Sequence, residues 1–135
     1  MTIDQNMNIL IADDMPSMRA HVNGILKELG FTKITEASDG LVALAHLKQH
    51  KYDMLLLDWN MPNMDGISLV RMIRSDAALK DLIVLMITAE TDKEHVMEAI
   101  SVGISDYIVK PFTADILQRK IESILAKRNQ ADKAL

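Results

Sequence analysis

At 135 residues, 49% of them apolar, the chain is long enough for one compact domain, residues 1–135 with a core over about 8–127, and leaves little room for a second. Its 15 Lys and Arg stand against 19 Asp and Glu, and a net charge of −4 supplies no basic footprint for nucleic acid or an anionic membrane. The absence of Cys excludes a disulfide framework, a thiolate metal site and a thiol nucleophile, and suits a reducing cytoplasm.

The first stretch, Met1 to Met7, is polar and lacks the basic flank and apolar run of a secretory signal. No later apolar run approaches the roughly 20 residues of a membrane-spanning helix, so a soluble protein is expected. Asn8 to Ala12 is the first of four short apolar runs, each reading as a strand buried on both faces; parallel strands covered by helices are apolar without alternation. Met18, Val22, Ile25, Leu26 and Leu29 then mark one face of a helix that begins near Pro16 and stops at Gly30. Lys33 to Ala37 is a more polar strand suited to an edge, and Leu41 to His50 reads as a helix with a less regular stripe.

Met54 to Leu57 is the next buried strand, followed by a helix carrying Ile67, Val70 and Ile73 that Asp65 and Gly66 open. Leu82 to Ile87 is a further strand. Thr91 with Glu94 forms a capping-box pattern before a helix that Gly103 closes. Tyr107 to Val109 is the last strand, and Thr113 caps a final helix carrying Leu117, Ile121, Ile124 and Leu125, with a polar extension after Ala126. Five alternations of strand and helix imply an α/β fold, a doubly wound five-stranded parallel sheet with right-handed crossovers and helices on both faces. Ligands of such sheets bind at the carboxyl ends of the strands.

The residues just past the central strands are Asp13 and Asp14, then Asp58, Thr88 and Lys110. Three carboxylates gathered in one crevice repel and raise each other's pKa, which calls for a cation to keep them ionised. Oxygen donors without Cys or His favour a hard ion, and few protein ligands with room for water suit octahedral Mg²⁺. Any one of these acids alone reads as a helix cap; their coincidence with a lysine reads as a site. A magnesium-binding carboxylate beside a lysine and a hydroxyl is the equipment of phosphoryl transfer, with Asp58 as the nucleophile.

Four motifs sharpen this: IADD, DWNMPNMDG around Asp58, VLMITAE with Thr88, and DYIVKPFTA with Tyr107 and Lys110. Together they resemble the response-regulator receiver domains, and most closely the single-domain chemotaxis members, over about Asn8 to Lys127. The resemblance implies a flavodoxin-like strand order 2-1-3-4-5 and a cis bond before Pro111. It implies Asp58 as phosphoacceptor, Mg²⁺ held by Asp14, Asp58 and the Asn60 carbonyl with Asp13 acting through water, Lys110 on the phosphoryl group and Thr88 as the switch hydroxyl. Asn60 and Glu90 stand where the family tunes dephosphorylation. Tyr107 would carry the signal to a face including Lys93, Val96, Ile100, Val109 and Lys120. The sequence departs at Met15, where such relatives often carry Phe, and at Asp92 before Lys93, where they often carry two basic residues.

The function expected is that of a stand-alone, cytoplasmic, monomeric response regulator, phosphorylated by a histidine kinase and switching its binding to a downstream protein such as the flagellar motor switch, with a phosphatase as a further partner. It would catalyse only its own phosphorylation and dephosphorylation. A phosphate sink or adaptor is the alternative reading, and an Asp-nucleophile phosphatase a weaker one, since that class favours a DxD after the first strand and a cap domain. His46 and His50 have the spacing of a helical zinc pair but read as a surface pair. His21 and His95 read as isolated, and Met18, Met86 and Met97 as packing residues.

Overall fold

The computed structural model describes residues 5–89 and 92–134, with side chains as far as residue 128 in the last helix. Five strands, β1 (Asn8–Ala12), β2 (Lys33–Ala37), β3 (Met54–Leu57), β4 (Ile83–Thr88) and β5 (Asp106–Val109), alternate with five helices, α1 (Pro16–Glu28), α2 (Gly40–Gln49), α3 (Gly66–Ser75), α4 (Lys93–Val102) and α5 (Ala114–Ala134). All strand pairs are parallel, in the order β2-β1-β3-β4-β5. β1, β2 and β3 fall where their sequences suggest, with the polar β2 at an edge, while β4 runs one residue later than Leu82–Ile87 and β5 begins one residue before Tyr107.

Each central strand serves two cores. Ile9, Ile11, Met54, Leu56, Leu85 and Ile87 point toward α1 and α5 and bury against residues such as Leu26, Leu117 and Ile121. Leu10, Leu55, Leu57, Val84 and Met86 point the other way, onto Leu47, Leu69, Val70, Ile73 and Ala99 of α2, α3 and α4. Side chains alternate across the sheet, so a run such as MLLL must be apolar throughout. Burying each large aliphatic side chain contributes about 1.5–3 kcal/mol.

The helix boundaries follow their caps. Pro16 occupies the first turn of α1 and Gly30 follows its end at φ 98°. Asp39 and Asp65 accept backbone N–H bonds from Val42 and Ser68 at the starts of α2 and α3. Thr113 does the same for Ile116, and Gly103 closes α4 at φ 104°. The start of α4 corrects the expected capping box: Asp92 is the N-cap, accepting from the His95 N–H, while Thr91 lies outside the described residues. Met97 is a second correction, being 57% exposed on α4 where a packing role was expected, whereas Met86 is fully buried.

One cation is taken up by the fold. The half-buried Arg74 guanidinium donates to the carbonyls of Gly103, Lys80 and Leu82, fastening the end of α3 to the loop before β4 and to the turn before β5. Burial lowers its pKa, yet three charge-assisted bonds keep the ion solvated by backbone.

Candidate functional site

The carboxyl ends of the central strands are held in register beyond the last paired residues. Asp13 N–H donates to Ala37 O, Asp58 N–H to Ala12 O, and Lys110 N–H to Thr88 O, at 3.1, 2.9 and 2.8 Å. The ladder therefore fixes the backbone of three candidate site residues as firmly as that of the strands. Thr88 is the last residue of β4 rather than the one after it, because its carbonyl still pairs with the Lys110 N–H. Its side chain is buried beside the crevice.

Asp13, Asp14 and Asp58 each place a carboxylate oxygen within 4.8 Å of the others. Asp13 and Asp58 are buried and Asp14 is exposed, which makes a pocket with a closed floor and an open mouth. Lys110 enters from β5, its Nζ 3.0 Å from Asp13 Oδ2 and 3.5 Å from Asp58 Oδ1. The Lys110–Pro111 bond is cis, as the resemblance implied. Asp13 also accepts the Met15 N–H on its other oxygen, and Arg19 donates to the Asp13 carbonyl while pairing with Glu36. Asp13 is thus fixed on every side.

Burial raises the Asp58 carboxyl to about 6; the nearby Lys110 charge opposes this, and the charges of Asp13 and, less, Asp14 add to it. The crowding of like charges expected from sequence is therefore present, but desolvation leads. The donor set is all oxygen, anionic and open on one side, and it fits a hard divalent cation that keeps part of its water shell.

The loop after Asp58 is tied down at two points. Asn63 sits at φ 68° and donates to Asp39 Oδ2 at 2.8 Å, tying the loop to the start of α2. The Val42 N–H and Asn63 together hold the Asp39 carboxyl below the usual carboxylate range. Gly66 N–H donates to Trp59 O at 2.8 Å, bringing the start of α3 against the backbone just after Asp58. Asn60 is exposed within this loop, and Glu90 lies outside the described residues.

Two contacts were not legible from residue spacing. The Trp59 ring meets His95 edge-on, centroids 5.1 Å apart, and His95 also pairs with Asp92. His95 is not isolated: it links the residue after Asp58 to the first turn of α4. Nor is His21, whose ring lies 5.6 Å from that of Phe112. The Asp92 charge is occupied by the backbone and side chain of His95, both of which lower its pKa. The residues expected to form an output face lie on α4 (Lys93, Val96, Ile100), β5 (Tyr107, Val109) and α5 (Lys120). Lys120 pairs with Asp106 at 3.2 Å and lies 5.6 Å from the centre of the half-buried Tyr107 ring. Met97 and Ile116 add exposed apolar surface on α4 and α5.

Comparison with known proteins places this geometry among relatives. The response regulator receiver domain profile matches residues 9–122. The chain is 49% identical over 125 residues to the chemotaxis protein CheY-3 of Vibrio cholerae, covering 93% of this chain and 96% of the relative. It is 48% identical over 123 residues to the chemotaxis protein CheY of Pseudomonas aeruginosa, covering 91% and 99%. Among solved structures, Vibrio cholerae CheY4 superposes with a TM-score of 0.82 at 32% identity, covering 88% of this chain and 98% of that one. The receiver domain of a Pseudomonas aeruginosa sensor histidine kinase, with a magnesium ion coordinated in its active site cleft, superposes with a TM-score of 0.82 at 27% identity, covering 90% and 98%.

Proposed function

The chain belongs to the response regulator receiver domain family, and from that premise we propose that it is a phosphorylation switch of a chemotaxis pathway. Receiver domains take a phosphoryl group from a histidine kinase and bind downstream targets. The observation that carries the proposal here is Lys110 Nζ lying 3.0 Å from Asp13 and 3.5 Å from Asp58, within a cluster of three carboxylates.

In this reading a carboxylate oxygen of Asp58 attacks the phosphorus of a phosphohistidine. A P–O bond forms, the P–N bond breaks, and the electron pair leaves with the imidazole. Asp13, Asp14, Asp58 and the Asn60 carbonyl would hold Mg²⁺. When bound, the ion supplies neutralisation of the gathered oxygens, which is the larger part of phosphoryl-transfer catalysis. Lys110 pairs with a phosphoryl oxygen, exchanging part of its contact with Asp13 and Asp58. The Thr88 hydroxyl donates to another, and Tyr107 moves with it. Asn60 and Glu90 set the rate at which water hydrolyses the acyl phosphate, returning the Asp58 carboxylate and inorganic phosphate. The protein turns over only its own phosphoryl group. Driving such a switch from 1:99 to 99:1 takes about 5.5 kcal/mol of differential interaction, within reach of two or three charge-assisted hydrogen bonds.

The downstream partner in this reading is the flagellar motor switch. It would dock on the α4, β5 and α5 face, where Met97 and Ile100 are each 57% exposed between Lys93 and Lys120. A cytoplasmic location belongs to the same reading, and no helix among the described residues is long and apolar enough to cross a membrane.

The test is incubation with a phosphorylated histidine kinase in Mg²⁺. One phosphoryl group per chain and its loss in EDTA are expected; sustained release of phosphate from varied monoesters would overturn the reading in favour of a phosphatase. With beryllofluoride and Mg²⁺, affinity for a motor-switch peptide is expected to rise at least tenfold. An unchanged affinity would favour a phosphate sink. Trp59 gives the metal a direct readout: Mg²⁺ should change its fluorescence saturably, and Asp14→Asn should weaken that binding tenfold or more, since it removes an anionic ligand from the open side of the pocket. A titration unaltered by Asp14→Asn would place the ion elsewhere.

A further inference from the structure

Charge is distributed unevenly between the two ends of the sheet. Opposite the acidic crevice, at the amino ends of the strands, lie three adjoining clefts of about 770, 620 and 550 Å³. The largest shares His50, Lys51 and Tyr52 with one neighbour, and Asp81, Leu82, Ile83 and Arg128 with the other, so the three form one belt. Lys33, Lys48, Lys51, Lys80, Lys127 and Arg128 line it, exposed, in addition to Arg74, which is committed to backbone carbonyls. Asp53 and Asp81 are the carboxylates among its lining residues, out of 19 Asp and Glu in the chain. Asp53 is further committed, accepting the Asn8 N–H at 2.8 Å.

Helix dipoles do not account for this. Lysines commonly answer the negative end of a helix, which covers Lys48 in the last turn of α2. Lys33 opens β2, and Lys51 and Lys80 lie in loops. None of Lys33, Lys48, Lys51, Lys80 and Lys127 forms an ion pair among the described residues. In a chain of net charge −4, an end this rich in unpaired cations is a local field of opposite sign to the whole.

The belt is also concave with an aliphatic floor. Met7, Leu47, Leu82 and Ile83 are buried beneath the largest cleft, and Leu79 and Leu125 are half-buried at its walls. We propose that this amino-end belt is a docking site for an acidic peptide segment of another protein, whose carboxylates pair with the rim while aliphatic side chains enter the cleft. Tyr52 is the one Phe, Tyr or Trp among the lining residues, with His46 and His50 beside it, so the belt has no run of large aromatic platforms along which successive nucleobases would stack. A concave surface does not insert into a bilayer as a protruding apolar helix face does. The site lies at the far end of the strands from Asp58, so docking is independent of phosphorylation and tethers both states alike. It does not rest on the phosphoryl-transfer reading.

The test uses fluorescein-labelled acidic 12-residue peptides with leucines at varied spacing, titrated with the full chain and read by anisotropy. The same titration is run with a dT12 oligonucleotide and with phosphatidylglycerol/phosphatidylcholine vesicles. Saturable binding of at least one peptide is expected, at least tenfold weaker in K48E/K51E and in K127E/R128E, and unchanged within twofold by beryllofluoride with Mg²⁺ or by Asp58→Asn. Two charge-reversed pairs keep the test valid if one fails to fold. Amide shifts on binding should centre on Tyr52, Leu79 and Arg128. Peptide binding that both pairs leave intact, shifts centred on Lys120, binding of the oligonucleotide or vesicles alone, or no saturation by any peptide would each overturn the proposal.

Discussion

Asp58→Asn is expected to abolish phosphoryl incorporation from a phosphorylated kinase or from acetyl phosphate and, in the same protein, to raise metal-free stability at neutral pH. The first effect follows from loss of the nucleophilic carboxylate. The second follows from its pKa, about 6 in the folded chain against 3.8 ordinarily. Below about pH 4 the carboxyl is protonated whether the chain is folded or unfolded. Between the two values the folded chain holds a proton that the unfolded chain releases, so stability contributed by the neutral form is lost as the pH rises through 6. Above that the native state carries a desolvated carboxylate, at a cost on the order of 2–3 kcal/mol. The amide has the shape of the neutral acid and avoids this cost.

Thermal melts in EDTA should therefore show Asp58→Asn more stable by about 1–3 kcal/mol at pH 7.5, a rise of roughly 3–10 °C, with the gain disappearing near pH 4. Saturating Mg²⁺ should narrow the gap, because it stabilises the ionised wild type by mass action. The same proton competes in the chemistry: acetyl phosphate labelling of wild type should fall below about pH 6 as the nucleophile protonates, the midpoint moving lower in high Mg²⁺. Residual labelling in Asp58→Asn would remove it as the acceptor. Equal stability at pH 7.5 in EDTA would mean that Lys110 already offsets the burial of the charge.

Most of the fold was legible because the central strands are buried on both faces and so are apolar along nearly their whole length. Where a reading slipped, hydrophobicity and pairing had separated. Leu82 is buried yet sits in a turn, its N–H bonded to Leu79, while the polar Thr88 continues the ladder because β5 still offers the Lys110 N–H. The start of α4 turned on a choice between adjacent capping residues, Thr91 and Asp92, which composition does not separate. The acidic site was legible for a topological reason: parallel strands deliver the residues that follow them to a single edge. The Trp59 and His95 contact and the Arg74 clamp had no such signal, since each depends on how a helix or loop settles over a neighbour distant in sequence.

Gly66→Ala is expected to damage the acceptor site without touching a reacting atom. A Cβ at this position would lie 2.6 Å from the Asp58 carbonyl oxygen and 3.0 Å from Trp59 Cα, both backbone atoms that no rotamer change can move. Relief to ordinary contact needs a displacement of about 0.8 Å, and overpacking of this kind costs about 1–3 kcal/mol. The Gly66 N–H bond to Trp59 O ties α3 to the acceptor loop, so the displacement is shared with the segment that aims Asp58 and the Asn60 carbonyl. An error near 1 Å in a reacting group costs about 10²-fold in rate. Gly24→Ala supplies the comparison: Gly24 is exposed within α1, a Cβ there meets nothing within 4 Å, and a gain of about 0.5–1 kcal/mol is expected from the lost backbone freedom. Labelling should thus fall roughly 10²-fold in Gly66→Ala and stay unchanged in Gly24→Ala. Lower stability with an intact labelling rate in Gly66→Ala would show that α3 gives way while the acceptor loop holds its place.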